Sequence, residues 1–78
     1  MKLKIVISPI GDIKEATLIT MILYHEGISY QLIQNHSLVS QLSRGTSLMV
    51  ILDANDNLIG TDYREVFFWL EKSGLFQI

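Results

Sequence analysis

The side chains that could do chemistry in this chain are hydroxyls, carboxylates and two imidazoles, because the sequence contains no cysteine. That absence excludes disulfides, thiolate catalysis, iron–sulfur clusters and cysteine-ligated zinc. His25 and His36 lie far apart in unlike contexts, so no metal site is predicted. Serine hydroxyls could pair with either histidine as nucleophile and base, yet none has a diagnostic spacing such as G-x-S-x-G. The candidate serines are Ser8, Ser37, Ser40, Ser43 and Ser47.

Paired carboxylates occur once in a suggestive position, at Asp53 and Asp56. The segment between and around them, Ala54-Asn55-Asp56-Asn57, has the composition of a hairpin turn. Asp and Asn are common in such turns because their side chains hydrogen-bond the local backbone. We therefore predict a structural turn here and no acid–base pair.

Composition limits the classes of partner. The 78 residues form one small domain, and 49% of them are hydrophobic. The net charge is −2 with no basic run, so the chain has no electrostatic footprint for nucleic acid. Its apolar runs are shorter than the roughly 20 residues of a membrane span, and no signal-peptide pattern is visible. A cytoplasmic location without membrane contact is expected.

The first half of the chain predicts a strand, a helix and a second strand. The first strand covers Lys2 to Ile7. Asp12 is predicted as N-cap of the helix in a capping box with Glu15, and Gly27 as its C-terminal stop. Ile28 to Gln34 follows as the second strand, and a unit of this length requires a right-handed parallel crossover.

The second half predicts a short helix and then a hairpin that leads into the last helix. The short helix lies between His36 and Arg44, and the strongest strand between Ser47 and Asp53. Leu58–Gly60 is the returning strand, and the last helix opens at Thr61 or Asp62. The fold class is α/β, one domain over residues 1–78, in the order β-α-β-(short α)-β-β-α with a four-stranded mixed sheet.

Both long helices carry more apolar residues than one face can hold. The predicted core faces are Ile13, Ala16, Ile19, Leu23 and Tyr24 in the first helix, and Tyr63, Val66, Phe67 and Leu70 in the last. The apolar residues off these faces are Leu18, Met21 and Ile22, and Phe68 and Trp69. If both helices pack on one side of the sheet, these residues could join into a protein-binding surface.

Three segments resemble landmarks of the glutaredoxins, members of the thioredoxin fold. Glu26-Gly27-Ile28-Ser29-Tyr30 resembles the "GIPY"-like turn into the second strand. Leu58-Ile59-Gly60-Thr61-Asp62 resembles the "IGG-x-D" turn into the last helix, and Leu70-Glu71-Lys72-Ser73-Gly74 resembles a closing "LEKSG". The resemblance spans essentially the whole chain and implies the minimal thioredoxin/glutaredoxin fold.

The residues that carry glutaredoxin chemistry are missing. Counted back from Gly27, the C-x-x-C slot falls on Ile13-Lys14-Glu15-Ala16; matched on its proline instead, it falls on Ser8-Pro9-Ile10-Gly11. Neither segment contains sulfur. The family's cis-proline slot falls within Thr46–Met49, where Leu48 or Met49 replaces the proline and a trans peptide is expected. The glycine pair and Asp that bind glutathione persist only as Gly60-Thr61-Asp62.

The resemblance therefore implies a non-catalytic, redox-inactive domain without a cofactor. We expect it to bind a protein of unknown identity or a second copy of itself, and a phage-encoded effector of a host protein is one such role. Two surfaces are predicted, the apolar surplus on the helices and the former active-site groove. The groove residues are Ile10, Ile13, Lys14, Ala16, Ser47, Leu48, Met49, Gly60, Thr61 and Asp62.

The alternative is a redox-inactive domain that binds glutathione or a small anion. It would use Thr46, Ser47 and Gly60–Asp62, where backbone N–H groups at a helix start suit a carboxylate, with Lys14 as a nearby cation. Ser8 could also stand in for the glutathione-activating serine of some glutathione transferases. That role is not predicted, because the sequence lacks the helical domain that binds the electrophile.

Overall fold

The computed structural model describes residues 2–10 and 13–74. Within them lie three helices and four strands. In chain order they are β1 (Lys2–Ile7), α1 (Lys14–His25), β2 (Ser29–Gln34), α2 (His36–Ser43), β3 (Met49–Leu52), β4 (Leu58–Gly60) and α3 (Tyr63–Lys72).

The four strands form one mixed sheet in the order β2-β1-β3-β4. β1 and β2 are parallel, while β1 pairs with β3, and β3 with β4, in antiparallel fashion. These directions and this order confirm the predicted α/β class and are those of a minimal thioredoxin-like arrangement.

Alternation along β1 divides the core into two layers. Leu3, Ile5 and Ile7 face α1 and α3, whereas Val6 faces α2 on the other side of the sheet. The buried residues that the two long helices contribute to the larger layer are Ala16, Ile19 and Leu23 from α1, and Val66 and Leu70 from α3. Both long helices thus cover the same face, as the sequence predicts.

The helix ends differ in how they are capped. Asp62 caps α3, since its Oδ1 accepts the N–H of Glu65 at 2.9 Å, and Asn35 caps α2 in the same way. α1 begins after Ile13 without a side-chain cap, and Asp12 lies outside the described residues. The predicted capping box depends on Asp12 and therefore lies outside the described residues, while the Glu15 carboxylate accepts a backbone N–H of α3.

Strand β3 is shorter than its apolar run predicts. The predicted strand begins at Ser47, but the N–H of Ser47 donates to the Ser43 hydroxyl in a turn at 3.3 Å, and strand pairing begins at Met49. At the other end Asp53 closes the hairpin turn by accepting the N–H groups of Asn55 and Asn57. The predicted structural role of this aspartate is confirmed.

Candidate functional site

The groove that the resemblance predicts lies where the start of α1, the loop before β3 and the start of α3 meet. Ser47 connects two of these segments, since its Oγ lies 2.9 Å from the carbonyl oxygen of Met49 and 3.4 Å from that of Thr61. Beside it is a shallow hollow of about 390 Å³, lined by Glu15 and by residues 45–49. The structure therefore brings together the loop and helix starts that the resemblance assigns to this site.

The backbone donors at the start of α3 are occupied by carboxylates of the chain itself. Glu15 Oε1 accepts the N–H of Tyr63 at 3.1 Å. Glu65 Oε1 accepts both the N–H of Thr61 at 3.1 Å and its hydroxyl at 3.0 Å, and Asp62 Oδ1 accepts the N–H of Glu65. An incoming anion would therefore meet three carboxylates at the place where the resemblance puts the N–H groups that bind an anion.

Three residues predicted for the groove are not accessible to a partner. Ala16 and Met49 belong to the hydrophobic core, and Gly60 is buried in β4. A side chain at position 60 would overlap the Cβ of Glu65, so this glycine lets β4 approach α3 closely. Its place in the "IGG-x-D"-like turn thus has a packing reason that involves no ligand. The remaining groove residues are partly or fully exposed: Ile10, Ile13, Lys14, Ser47, Leu48, Thr61 and Asp62.

The cysteine slot of the resemblance spans the first turn of α1. Ile13 is exposed there and Ala16 points into the core. Since the chain has no cysteine, it has no thiol of its own for thiol–disulfide catalysis. The peptide bonds of the described residues, including those of the former cis-proline slot, are all trans.

One serine–histidine pair does form, at the carboxyl ends of β1 and β2. The Ser8 Oγ lies 2.7 Å from Nδ1 of His36. Ser8 is only 1% exposed, so its hydroxyl is closed to a substrate, whereas His36 is exposed. The pair therefore ties the end of β1 to the start of α2. Sequence spacing alone does not identify this Ser–His pair. Ser8 directly follows β1, and His36 follows the parallel strand β2 after one intervening residue.

A second hollow lies along α1, away from the groove that the resemblance predicts. Its volume is about 680 Å³. Met21 and Tyr24 are the most exposed apolar residues in it, at 65% and 81%. Tyr24 was expected in the core, but it lies on the solvent side of α1. The residues that give the hollow its apolar lining are Leu18, Met21, Ile22, Tyr24, Tyr30 and Phe67.

The predicted continuity of the two apolar surpluses is wrong. Phe67, and not Phe68, borders the hollow beside Leu18 and Met21. Phe68 is exposed on another side of α3, where it and Trp69 line a separate hollow. Lys72 Nζ lies 4.7 Å from the centroid of the Phe68 ring. The register of α3 separates these residues because neighbours in sequence point about 100° apart on a helix.

Within residues 2–10 and 13–74, no three His, Asp or Glu side chains cluster closely enough to hold a metal ion. No helix in this part of the chain is long and apolar enough to cross a membrane. Comparison with protein-family models, curated proteins and solved structures found no match.

Proposed function

We propose that this chain is a redox-inactive, glutaredoxin-like protein that acts by binding another protein and not by catalysis. Two observations support a non-catalytic role. The chain has no cysteine, and the hydroxyl of its one Ser–His pair, Ser8, is buried. The exposed apolar flank of α1 carries the binding part of the proposal.

This flank, defined by Leu18, Met21, Ile22 and Phe67, is costly for a chain that stays alone in water. Burial of one Met or Leu side chain stabilises a complex by about 1.5–3 kcal/mol relative to exposure. A small domain exposes some apolar area in any case, and here the exposed side chains of Leu18, Met21 and Tyr24 line one hollow together. Aromatic and Met side chains are also the ones enriched at protein interfaces.

The shape and lining of the hollow favour a protein over a small molecule. Small-molecule sites are clefts or cavities that enclose most of the ligand surface. Here the hollow is open, and its polar lining is limited to Thr20, His25 and Glu26 at one flank of a helix. A side chain from a partner surface fits such a site better than a metabolite.

The alternative of glutathione or small-anion binding is disfavoured. It needs free backbone donors at Gly60–Asp62, and the N–H groups of Thr61 and Tyr63 are already bonded to Glu65 and Glu15. The negative charge of these carboxylates adds repulsion toward an anion.

The test is affinity capture from the cells that produce the protein, followed by mass spectrometry. The wild type, Met21→Lys and Gln41→Lys would be immobilised in parallel. Gln41 is an exposed residue of α2 on the opposite face of the sheet, so its variant adds the same charge away from the hollow. A partner retained by the wild type and Gln41→Lys but lost with Met21→Lys supports the proposal. Identical retention by all three variants contradicts it.

A further inference from the structure

Among residues 2–10 and 13–74, no strand pairs with the outer edge of β2. β2 is the first strand in the sheet order and pairs only with β1. The N–H of Asn35, just after β2, donates to the carbonyl of Ile7 at 3.0 Å, so Asn35 faces β1. Because successive residues of a strand alternate in direction, the backbone groups of Tyr30, Leu32 and Gln34 point away from the sheet.

The two edge strands of this sheet differ in their protection against pairing with another strand. β4, the other edge, is three residues long, and its pairing with β3 is irregular at Ile51 and Leu52. Short length and irregular pairing are common protections against edge-to-edge association. β2 spans six residues with the sequence SYQLIQ, which has no charge, proline or glycine, and its register with β1 is regular. The β2 edge therefore lacks the devices that protect β4.

The surface that flanks this edge is also uncharged. Tyr30, Leu32 and Gln34 pair in register with Leu3, Ile5 and Ile7, so their side chains lie on the face covered by α1. Leu32 is 52% exposed there. It shares a narrow cleft of about 160 Å³ with residues of α1 and the turn before it, among them Ile13, Thr17 and Thr20.

We propose that a second copy of this chain pairs with the β2 edge, antiparallel, about a twofold axis at Leu32. In this register Leu32 faces the Leu32 of the other copy, and Tyr30 faces its Gln34. The three outward-facing residues of each strand then exchange about six backbone hydrogen bonds across the axis. The two sheets become one continuous sheet.

The same axis covers apolar surface on α1. It places the two α1 helices side by side and antiparallel, so that Ile13 of one copy comes near Tyr24 of the other. Both side chains are exposed in the single chain. No charged side chain lies in the paired strands, so the symmetric contact brings no like charges together at the axis.

Symmetry argues for a second copy over a foreign strand. A twofold interface must match itself, and this one sets Leu against Leu and Tyr against Gln without a charged pair. A foreign peptide would require no such self-match. The inference goes beyond the proposed function, since the two copies pair through the β2 edge. Of the residues named in this interface, Tyr24 and Tyr30 also line the hollow, whereas Met21 and Phe67 do not take part in the pairing.

Sedimentation equilibrium of three proteins tests the dimer: the wild type, Leu32→Lys and Leu58→Lys. Leu58 is a matched control because it lies on the other edge strand and is 47% exposed. The wild type and Leu58→Lys are expected to be dimers, while Leu32→Lys weakens the dimer at least about tenfold because two ammonium groups meet at the axis.

Amide hydrogen exchange of the wild type gives a second readout that needs no variant. The amides of Tyr30, Leu32 and Gln34 should become protected as the protein concentration rises. Those of Gln31 and Ile33 face β1 and should be protected at every concentration. A wild type that is monomeric at all concentrations overturns the proposal. So does a dimer that Leu32→Lys leaves intact. Neither result affects whether another protein is captured through the hollow.

Discussion

The carboxylate of Glu15, in the first turn of α1, accepts the backbone N–H of Tyr63, the first residue of α3, at 3.1 Å. In the glutaredoxin resemblance these two helix starts surround the substrate. Here a glutamate of the chain occupies a donor that would otherwise suit a carboxylate ligand. The bond makes this junction a contact between two helices and closes that donor to an anion.

Replacement of Glu15 by alanine should destabilise the fold by about 1 kcal/mol, because the part-buried N–H of Tyr63 loses its partner. The backbone amide resonance of Tyr63 should move most among those of α3. Urea unfolding and amide spectra measure the two effects. Glu71→Ala, an exposed site at the other end of α3, is the control and should change stability by less than about 0.5 kcal/mol. Equal effects of the two variants would show that the Glu15 bond adds nothing.

Titration of labelled wild-type protein with glutathione should leave the amides of residues 47–49 and 60–62 unchanged. The reason is that Glu65 and Glu15 already hold the N–H groups of Thr61 and Tyr63. Amide chemical shifts recorded up to millimolar glutathione measure this directly. Saturable chemical-shift changes confined to these two segments would support the anion-binding alternative. They would also contradict the argument that Glu15 and Glu65 exclude an anion from the N–H groups.

Local sequence patterns predict the fold, but they do not predict which helix residues are buried by neighbouring elements. The parallel β1–β2 unit and the hairpin signal at Asp53–Asn57 are both confirmed, whereas the pairing of β1 with β3, which joins the two units, is implied only by the fold resemblance. Tyr24 shows the limit. A helical wheel places it with Leu23, but α1 lies near the edge strand β2, so Tyr24 extends beyond the sheet and stays exposed. The width of a buried stripe depends on neighbours that a wheel does not contain.

The candidate site was predicted less well because its contacts join distant segments. Glu15 and Tyr63 are far apart in sequence, and a local capping rule assigned the glutamate to Asp12 instead. Ser8 and His36 are likewise distant in sequence. They meet because the parallel strands β1 and β2 have their carboxyl ends at the same edge of the sheet. Sequence supplied several possible serines for either histidine, and only the strand register selected one pair.

The Ser8–His36 pair should contribute to stability. His36→Ala leaves the buried Ser8 hydroxyl without its partner, at an expected cost of about 1–3 kcal/mol. The double variant Ser8→Ala with His36→Ala should cost less than the sum of the single variants, because both remove the same bond. Urea unfolding of the four proteins in this cycle measures the coupling. Strictly additive changes in the free energy of unfolding would mean that the two side chains do not interact. His25→Ala, at an exposed position of α1, controls for the loss of a histidine.

The hairpin turn should make stability depend on acid pH through Asp53. The hydrogen bond from the backbone N–H of Asn57, helped by that from Asn55 and by the charge of Lys4, lowers the pKa of Asp53. A carboxyl with a lowered folded pKa stabilises the fold above its unfolded pKa, about 4, and loses this contribution as the pH falls through the folded value. The wild type should therefore be more stable than Asp53→Asn at neutral pH, and the difference should shrink below about pH 4. Chemical unfolding of both proteins between neutral and strongly acid pH measures this difference, and a difference that stays constant would contradict the assigned role of the Asp53 charge.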